Sequence, residues 1–414
     1  DVASDINKSA GYIVALCFIG FGFSVGMLLL FRYFVAVVVW VIIIGSLFGI
    51  IALTILFWFS ICGYLCLDST SLEYNRPFKP VAIFFTIISL VLVIMLVCMF
   101  KRIQLVIRLF KEAIKVLFGI PLIFFEPLLT FFAVSVLFII FVYYFILMET
   151  AGVLQNVGGS LYEYTPNMVM LFTIWFHFVM CIWMEQFIIG CQHMVISGAV
   201  SAYYFARDKS AMISPIYNSF YNLFRYHLGT VAFGSLIITV ITIIKALIRS
   251  LANSRQTKIL VDCCLGAIED FLKYLSKNAY IQTAIHGQPF YKSGKRAVRL
   301  LAANALSAVA INSVGDFVLF MAKLLIVVCT IGVGILMNDS SGVKHFWAPI
   351  FISAFVTAII AECFFTVFET AIDTLFICFC EDSCMNDGMD RPYYMSVNLM
   401  QYIEDAKKTV KDKN

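Results

Sequence analysis

FVAVVVWVIIIGSLFGIIALTILFWF, residues 34 to 59, holds no charged residue and no proline in 26 positions. An α-helix rises 1.5 Å per residue, so about 20 apolar residues cross roughly 30 Å of hydrocarbon. A run this long and this apolar is predicted to have lipid as its solvent. Similar blocks recur at 11–30, 34–66, 81–100, 119–148, 168–190, 228–248, 314–337 and 347–377, which predicts eight spans. The blocks are unbroken, whereas barrel strands would give alternating segments of about ten residues, so each is read as a helix. The expected fold class is all-α: a polytopic helical membrane protein of about nine helices, with interfacial helices beside the spans. A ninth segment, 259–285, carries Asp262, Glu269, Asp270, Lys273 and Lys277, which suits an interfacial or protein-buried helix.

Composition agrees with a lipid solvent. Of 414 residues, 62% are hydrophobic, 16% aromatic and only 13% charged. The net charge of +4 is spread between loops, so a nucleic-acid partner is not indicated. Thirteen Cys lie mostly inside apolar blocks, without even spacing or neighbouring His, and read as small membrane-helix residues. The five His have no mutual metal-ligand spacing, and no Gly-rich phosphate loop or nucleophile elbow is present. An enzyme, a cofactor and a metal site are therefore not expected. No linker divides residues 1–380, which read as one membrane core followed by a polar tail, 381–414, with a turn at Asn386-Asp387-Gly388. The chain starts at Asp1 with no basic leader, so a signal peptide is not expected and the native N-terminus is expected upstream.

Loop charge sets orientation, because cytoplasmic loops carry the excess of Lys and Arg. Segments 101–115, 207–226 and the stretch after 286 are basic and are expected inside. Segment 149–166 has Glu149, Glu163 and no Lys or Arg, and with 67–79 and 338–346 is expected outside. Parity then puts Asp1 outside and the tail inside if 228–285 crosses an even number of times. Lys245, Arg249, Arg255 and Lys258 fall where such a model needs an external loop. Three sets of residues should shape the helices themselves. Gly45 and Gly49 have a small-xxx-small spacing that favours close helix packing. Pro121 and Pro127 bracket Glu126, where they remove backbone hydrogen bonds. Asp316 and Lys323, seven apart, are expected to pair.

Six stretches carry a family resemblance: CQHMVISGAVSAYYFARDK (191–209), FRYHLGTVAFGSLI (224–237), NAYIQTAI (278–285), INSVGDFVLFMAKLL (311–325), DTLFICFCED (373–382) and RPYYM (391–395). In order and over nearly the whole chain, these resemble the choline transporter-like family of solute carriers, and are most similar to its choline-transporting first branch. The resemblance implies about ten membrane helices with a large extracellular loop after the first, so the first helix and that loop are expected before Asp1. It also implies movement of choline, and ethanolamine, across plasma and mitochondrial membranes in exchange with protons. Composition alone stops at a multi-span transporter or channel.

A quaternary ammonium has no hydrogen to donate and is held against aromatic faces. The block 168–206 supplies Trp175, Phe176, Trp183, Phe187, Tyr203 and Tyr204, and neighbouring blocks supply Trp40, Trp58, Tyr143 and Tyr144. Trp and Tyr also form interfacial belts, which is the alternative for the four Tyr. Trp183 lies mid-block, away from both interfaces. In WMEQFIIGCQ (183–192) helical spacing puts Trp183, Gln186 and Gly190 on one face with Met194 and Ser197, while Glu185 and Gln192 point elsewhere. The expected substrate set is Trp183, Gln186, Phe187, Gly190 and Tyr204. In the resembling branch the position of Gln186 carries an acid, so Gln186 is a departure.

Acids at bilayer depth should face protein or water. Glu185, Glu369 and Asp373 are the candidates for charge or proton coupling. Glu185 could equally be a packing acid, and Glu369 and Asp373, four apart on one face, could be solvated at a pore mouth or share a proton. Asn338-Asp339-Ser340 is a glycosylation sequon in a loop expected outside. The rival function is a membrane scaffold or adhesion component, in which the Trp183 face would only pack. No feature of the sequence specifies how many copies assemble.

Overall fold

A computed structural model describes residues 9–67, 78–158, 161–165, 167–209, 212–252, 254–337, 347–386, 390–396 and 399–400. The sequon 338–340 and most of the tail lie outside them. Among the described residues, six helical stretches are long and apolar enough to cross a membrane: Ala10–Phe59, Pro121–Thr150, Met168–Phe205, Pro215–Leu251, Ala305–Met337 and Trp347–Met385. The protein is an all-α integral membrane protein.

Blocks 11–30 and 34–66 are two helical halves, joined as α1 (Ala10–Leu67) across a kink at Phe34, whose φ and ψ of −129° and 32° are non-helical, so the break falls where the second block was expected to begin. The sequence reading differs at the next junction: the apolar block 81–100 and the basic segment 101–115 are one helix, α2 (Phe78–Gly119), with no Gly, Pro or Asn cluster between them to turn the chain. A 3-10 turn (Pro121–Phe125) leads into α3 (Glu126–Thr150), so the two prolines mark a helix start instead of opening a helix interior. The loop 149–166 adds a hairpin that the apolar pattern did not announce. Its strands β1 (Val153–Gly158) and β2 (Leu161–Thr165) pair antiparallel, with Leu154 opposite Tyr164.

Then come α4 (Met168–Phe205), α5 (Pro215–Asn222), a π turn (Leu223–His227) and α6 (Leu228–Leu251). Next are α7 (Arg255–His286) and the strongly amphipathic α8 (Phe290–Ala303). The chain continues with α9 (Ala305–Ala310), a second π turn (Ile311–Gly315), α10 (Asp316–Met337) and α11 (Trp347–Met385). The ninth segment is therefore α7. It starts where the Ser254 hydroxyl accepts from Thr257 N at 3.0 Å and stops at Gly287, whose φ of +66° supplies the left-handed cap. Two of the four awkward cations are paired locally: Lys245 Nζ is 2.9 Å from Glu269, and Arg249 is 3.5 Å from Asp262, so α7 brings counter-charges for them.

The described residues divide into two compact units, the first drawn from 1–115, 305–365 and 396–414, the second from 116–304 and 366–395. In the first, α1 packs on α10, and Phe31 is fully enclosed, with its ring edge-on to Phe110 at 5.9 Å and to Phe365 at 6.3 Å. Lys323 pairs with Glu362 at 2.8 Å, on α11, where the sequence reading had chosen Asp316. A spacing of two turns along one helix cannot reveal a partner on another helix. Among the described residues nothing lies within 4 Å of a Cβ built at Gly45 or Gly49, so none of them packs closely on that pair.

The second unit is organised around α4, which packs on α3, α5, α6 and α7. The outer face of α3 presents Phe132, Phe138 and Ile139, each more than half exposed, as a lipid-facing surface does.

Candidate functional site

Asn167 caps α4, its side-chain oxygen accepting from Met170 N at 2.9 Å, and the helix then runs 38 residues, about 57 Å. Its length lets one element carry several layers of chemistry. The Trp183 side faces α6. Trp183 Nε1 donates to Ala232 O at 3.2 Å and to Ser235 Oγ at 3.1 Å, which fixes the edge of the indole. One turn below, Phe187 packs on a buried cluster of Met194, Val195, Leu223, Val231 and Tyr280. Gly190 is buried in the same seam, and a Cβ there would meet Val231 Cγ1 at 2.7 Å, so the space of the missing side chain holds a valine methyl. Gln186 is half-buried and Glu185 is exposed.

Below the cluster lies a cavity of about 610 Å³, lined by Gly198, Ser201 and Phe205 of α4, Asn218 and Asn222 of α5, and His227. Its lining mixes these polar groups with Ile213 and Ile285 and with Met194 and Leu223, which it shares with the apolar seam above. Trp183 and the cavity thus lie on successive turns of one helix face, separated by the Met194–Val231–Tyr280 seal. Tyr280 is fully enclosed, with its hydroxyl on Val231 O at 3.3 Å.

A different face of α4 meets the second half of α11. His193 Nδ1 is 3.2 Å from Thr370 Oγ1, and Thr374 Oγ1 donates to Ser197 Oγ at 3.2 Å. Beside them, Lys277 Nζ lies 2.8 Å from Glu369 Oε1 and 2.8 Å from Asp373 Oδ2. The two acids are therefore bridged by one ammonium. Sequence reasoning missed Lys277 as a site residue, treating it only as an interruption of an apolar pattern. The available signal was that Asn278 to Thr283, which follow it directly, form the uncharged half of α7.

Tyr204 does not join Trp183. The two are 21 residues apart on α4, about 31 Å along the axis. The Tyr204 hydroxyl donates to Asp382 Oδ2 at 3.1 Å, and the same oxygen accepts Tyr394 N at 2.9 Å and Met395 N at 2.8 Å. Arg207 donates to Pro392 O and Tyr393 O at 2.8 and 3.1 Å and lies 3.9 Å over the Tyr394 ring. Next to Asp382, Glu381 is bound by Arg296, by His286 at 3.2 Å and by Gln282 at 3.4 Å. Stretches 191–209, 278–285, 373–382 and 391–395 thus converge at one end of the second unit. Among the described residues, no three His, Cys, Asp or Glu are grouped to hold a metal ion.

A family described as "Plasma-membrane choline transporter" matches residues 83–384. Choline transporter-like protein 1 of Torpedo marmorata is 36% identical over 99% of this chain and 66% of its own length. The corresponding protein of Xenopus laevis is 34% identical over 99% of this chain and 66% of its own. Choline transporter-like protein 3 of Bos taurus is 32% identical over 97% of this chain and 65% of its own. The chain thus spans about two thirds of the length of these relatives. With the family match covering most of its residues, the chain belongs to the choline transporter-like family.

Proposed function

We propose that the protein is a carrier that moves choline across the plasma membrane by alternating access. The observation that carries this reading is the order along one face of α4: an indole pinned by its edge, an apolar seal, then a cavity of mixed polar and apolar lining. An edge-anchored ring keeps its faces available to a cation, and each such contact contributes about 0.5–2 kcal/mol. The cavity borders the 207–226 segment, which loop charge expects at the cytoplasmic side, so it serves as the inner vestibule. The seal is the gate. A π turn, Leu223–His227, lies beside it, and such turns allow a helix to shift register locally. The Lys277–Glu369–Asp373 cluster is the charge-coupling element, able to change partners when α7 or α11 moves. The family resemblance extends the reading to ethanolamine, to exchange for protons and to mitochondrial membranes.

Choline uptake into proteoliposomes tests it. Trp183→Ala is expected to weaken apparent affinity roughly 2- to 30-fold, the range one ring contributes. Trp183→Phe, which keeps a ring without the N–H, should fall between. An imposed pH gradient should drive uptake. The hydrogen-bonded indole and the filled space at Gly190 favour a second reading, in which this seam only packs helices. Uptake by the parent no greater than by protein-free liposomes would establish that reading.

A further inference from the structure

Glu126 opens α3, and no function has yet been given to it. Its side chain is 4% exposed. Oε1 accepts from Thr130 Oγ1 at 3.0 Å, and Oε2 is buried with no hydrogen-bond partner. No ion pair involves it among the described residues. From α4, the Gln192 amide is a hydrogen-bonding neighbour of the carboxyl and Cys191 stands beside it, neither carrying a positive charge. Glu126 also lines an apolar cleft of about 590 Å³ between the start of α3 and α5, whose walls include Phe125, Leu129, Tyr217 and Phe220. None of the lining residues is Lys, Arg or His, and the hydroxyls available are those of Ser214 and Tyr217. Neutral donors alone do not offset the burial of a carboxylate without a counter-ion, whereas a neutral acid at the same place is tolerated.

We propose that Glu126 is a proton-binding site: a carboxylic acid held neutral within the α3–α4 contact and reached through the apolar cleft. It deepens the carrier reading by naming a group that takes up and releases a proton next to α4, the helix that bears Trp183. Its chemistry also makes it a modification site for a hydrophobic carbodiimide. The acid proton passes to a carbodiimide nitrogen, the carboxylate oxygen bonds the central carbon, and an O-to-N acyl shift leaves an N-acylurea. Nothing is oxidised or reduced.

The test needs no transport. Infrared spectra of the purified chain at neutral pH should show the carbonyl stretch of a protonated carboxylic acid, and Glu126→Gln should remove it. The variant retains an acceptor for Thr130, and size-exclusion chromatography checks its fold. Dicyclohexylcarbodiimide should add one whole reagent to the parent peptide that contains Glu126. A band unchanged by Glu126→Gln, or adducts confined to other carboxyls of the parent, would overturn the proposal. A parent protein that shows the band and its loss in Glu126→Gln, yet takes up no choline in proteoliposomes, would keep the proton site and overturn the carrier reading instead.

Discussion

Lys277 holds two carboxylates with one ammonium, and its side chain is only 12% exposed. Asp373 beside it is as enclosed. Removing the cation leaves two acids facing each other in a poorly hydrated place, which typically costs roughly 3–5 kcal/mol. Lys277→Met should therefore lower the unfolding temperature of the detergent-solubilised protein markedly. The double variant Lys277→Met with Asp373→Asn should recover part of that loss, because it removes one of the stranded charges. Equal melting of parent and single variant would mean that the acids find other partners. The sequence exposed Glu369 and Asp373 as a pair by their helical spacing. It could not expose Lys277, 92 residues from Glu369, because no local pattern encodes a contact between helices.

At the scale of elements, α4 was legible as a span from its apolar run, and its faces were legible from the 3.6-residue period. What each face meets was not. Trp183 and Gly190 were read as sharing one face, and α6 and α7 supply Val231, Ser235 and Tyr280 to it. The joint of α6 to α7 depends on Glu269, which receives Thr242 at 3.0 Å, Lys245 at 2.9 Å and Lys273 at 2.7 Å. Burial opposes its ionisation, but the contacts with Lys273, Lys245 and Thr242 outweigh burial and hold the carboxyl down to about 2, from an ordinary 4.5. The depressed value fixes the sign. Below 4.5 the unfolded chain binds the proton more readily than the folded one, so this stabilisation is complete above 4.5 and fades as pH falls towards 2. Urea titrations in detergent should show stability falling across that window, with a shallower fall in Glu269→Gln. Identical pH slopes for the two proteins would remove Glu269 from the joint.

At the scale of the molecule, the lipid-solvated helical class was readable from composition and block length alone, since both are sums over many residues. Where helices begin and end was less so. The chain runs through 100–101 without leaving the helix, because Lys and Arg are good helix formers and a change of polarity is not a stop signal. The convergence of four resembling stretches around Asp382 was beyond any local reading, since the acid serves backbone groups 12 and 13 residues later. Gly190 has one more consequence, for sequence drift. The seam between α4 and α6 fixes a sum of two volumes and neither one singly. A lineage that gains a methyl at 190 should shed carbon at 231, so an alignment of descendants should show the two columns trading bulk.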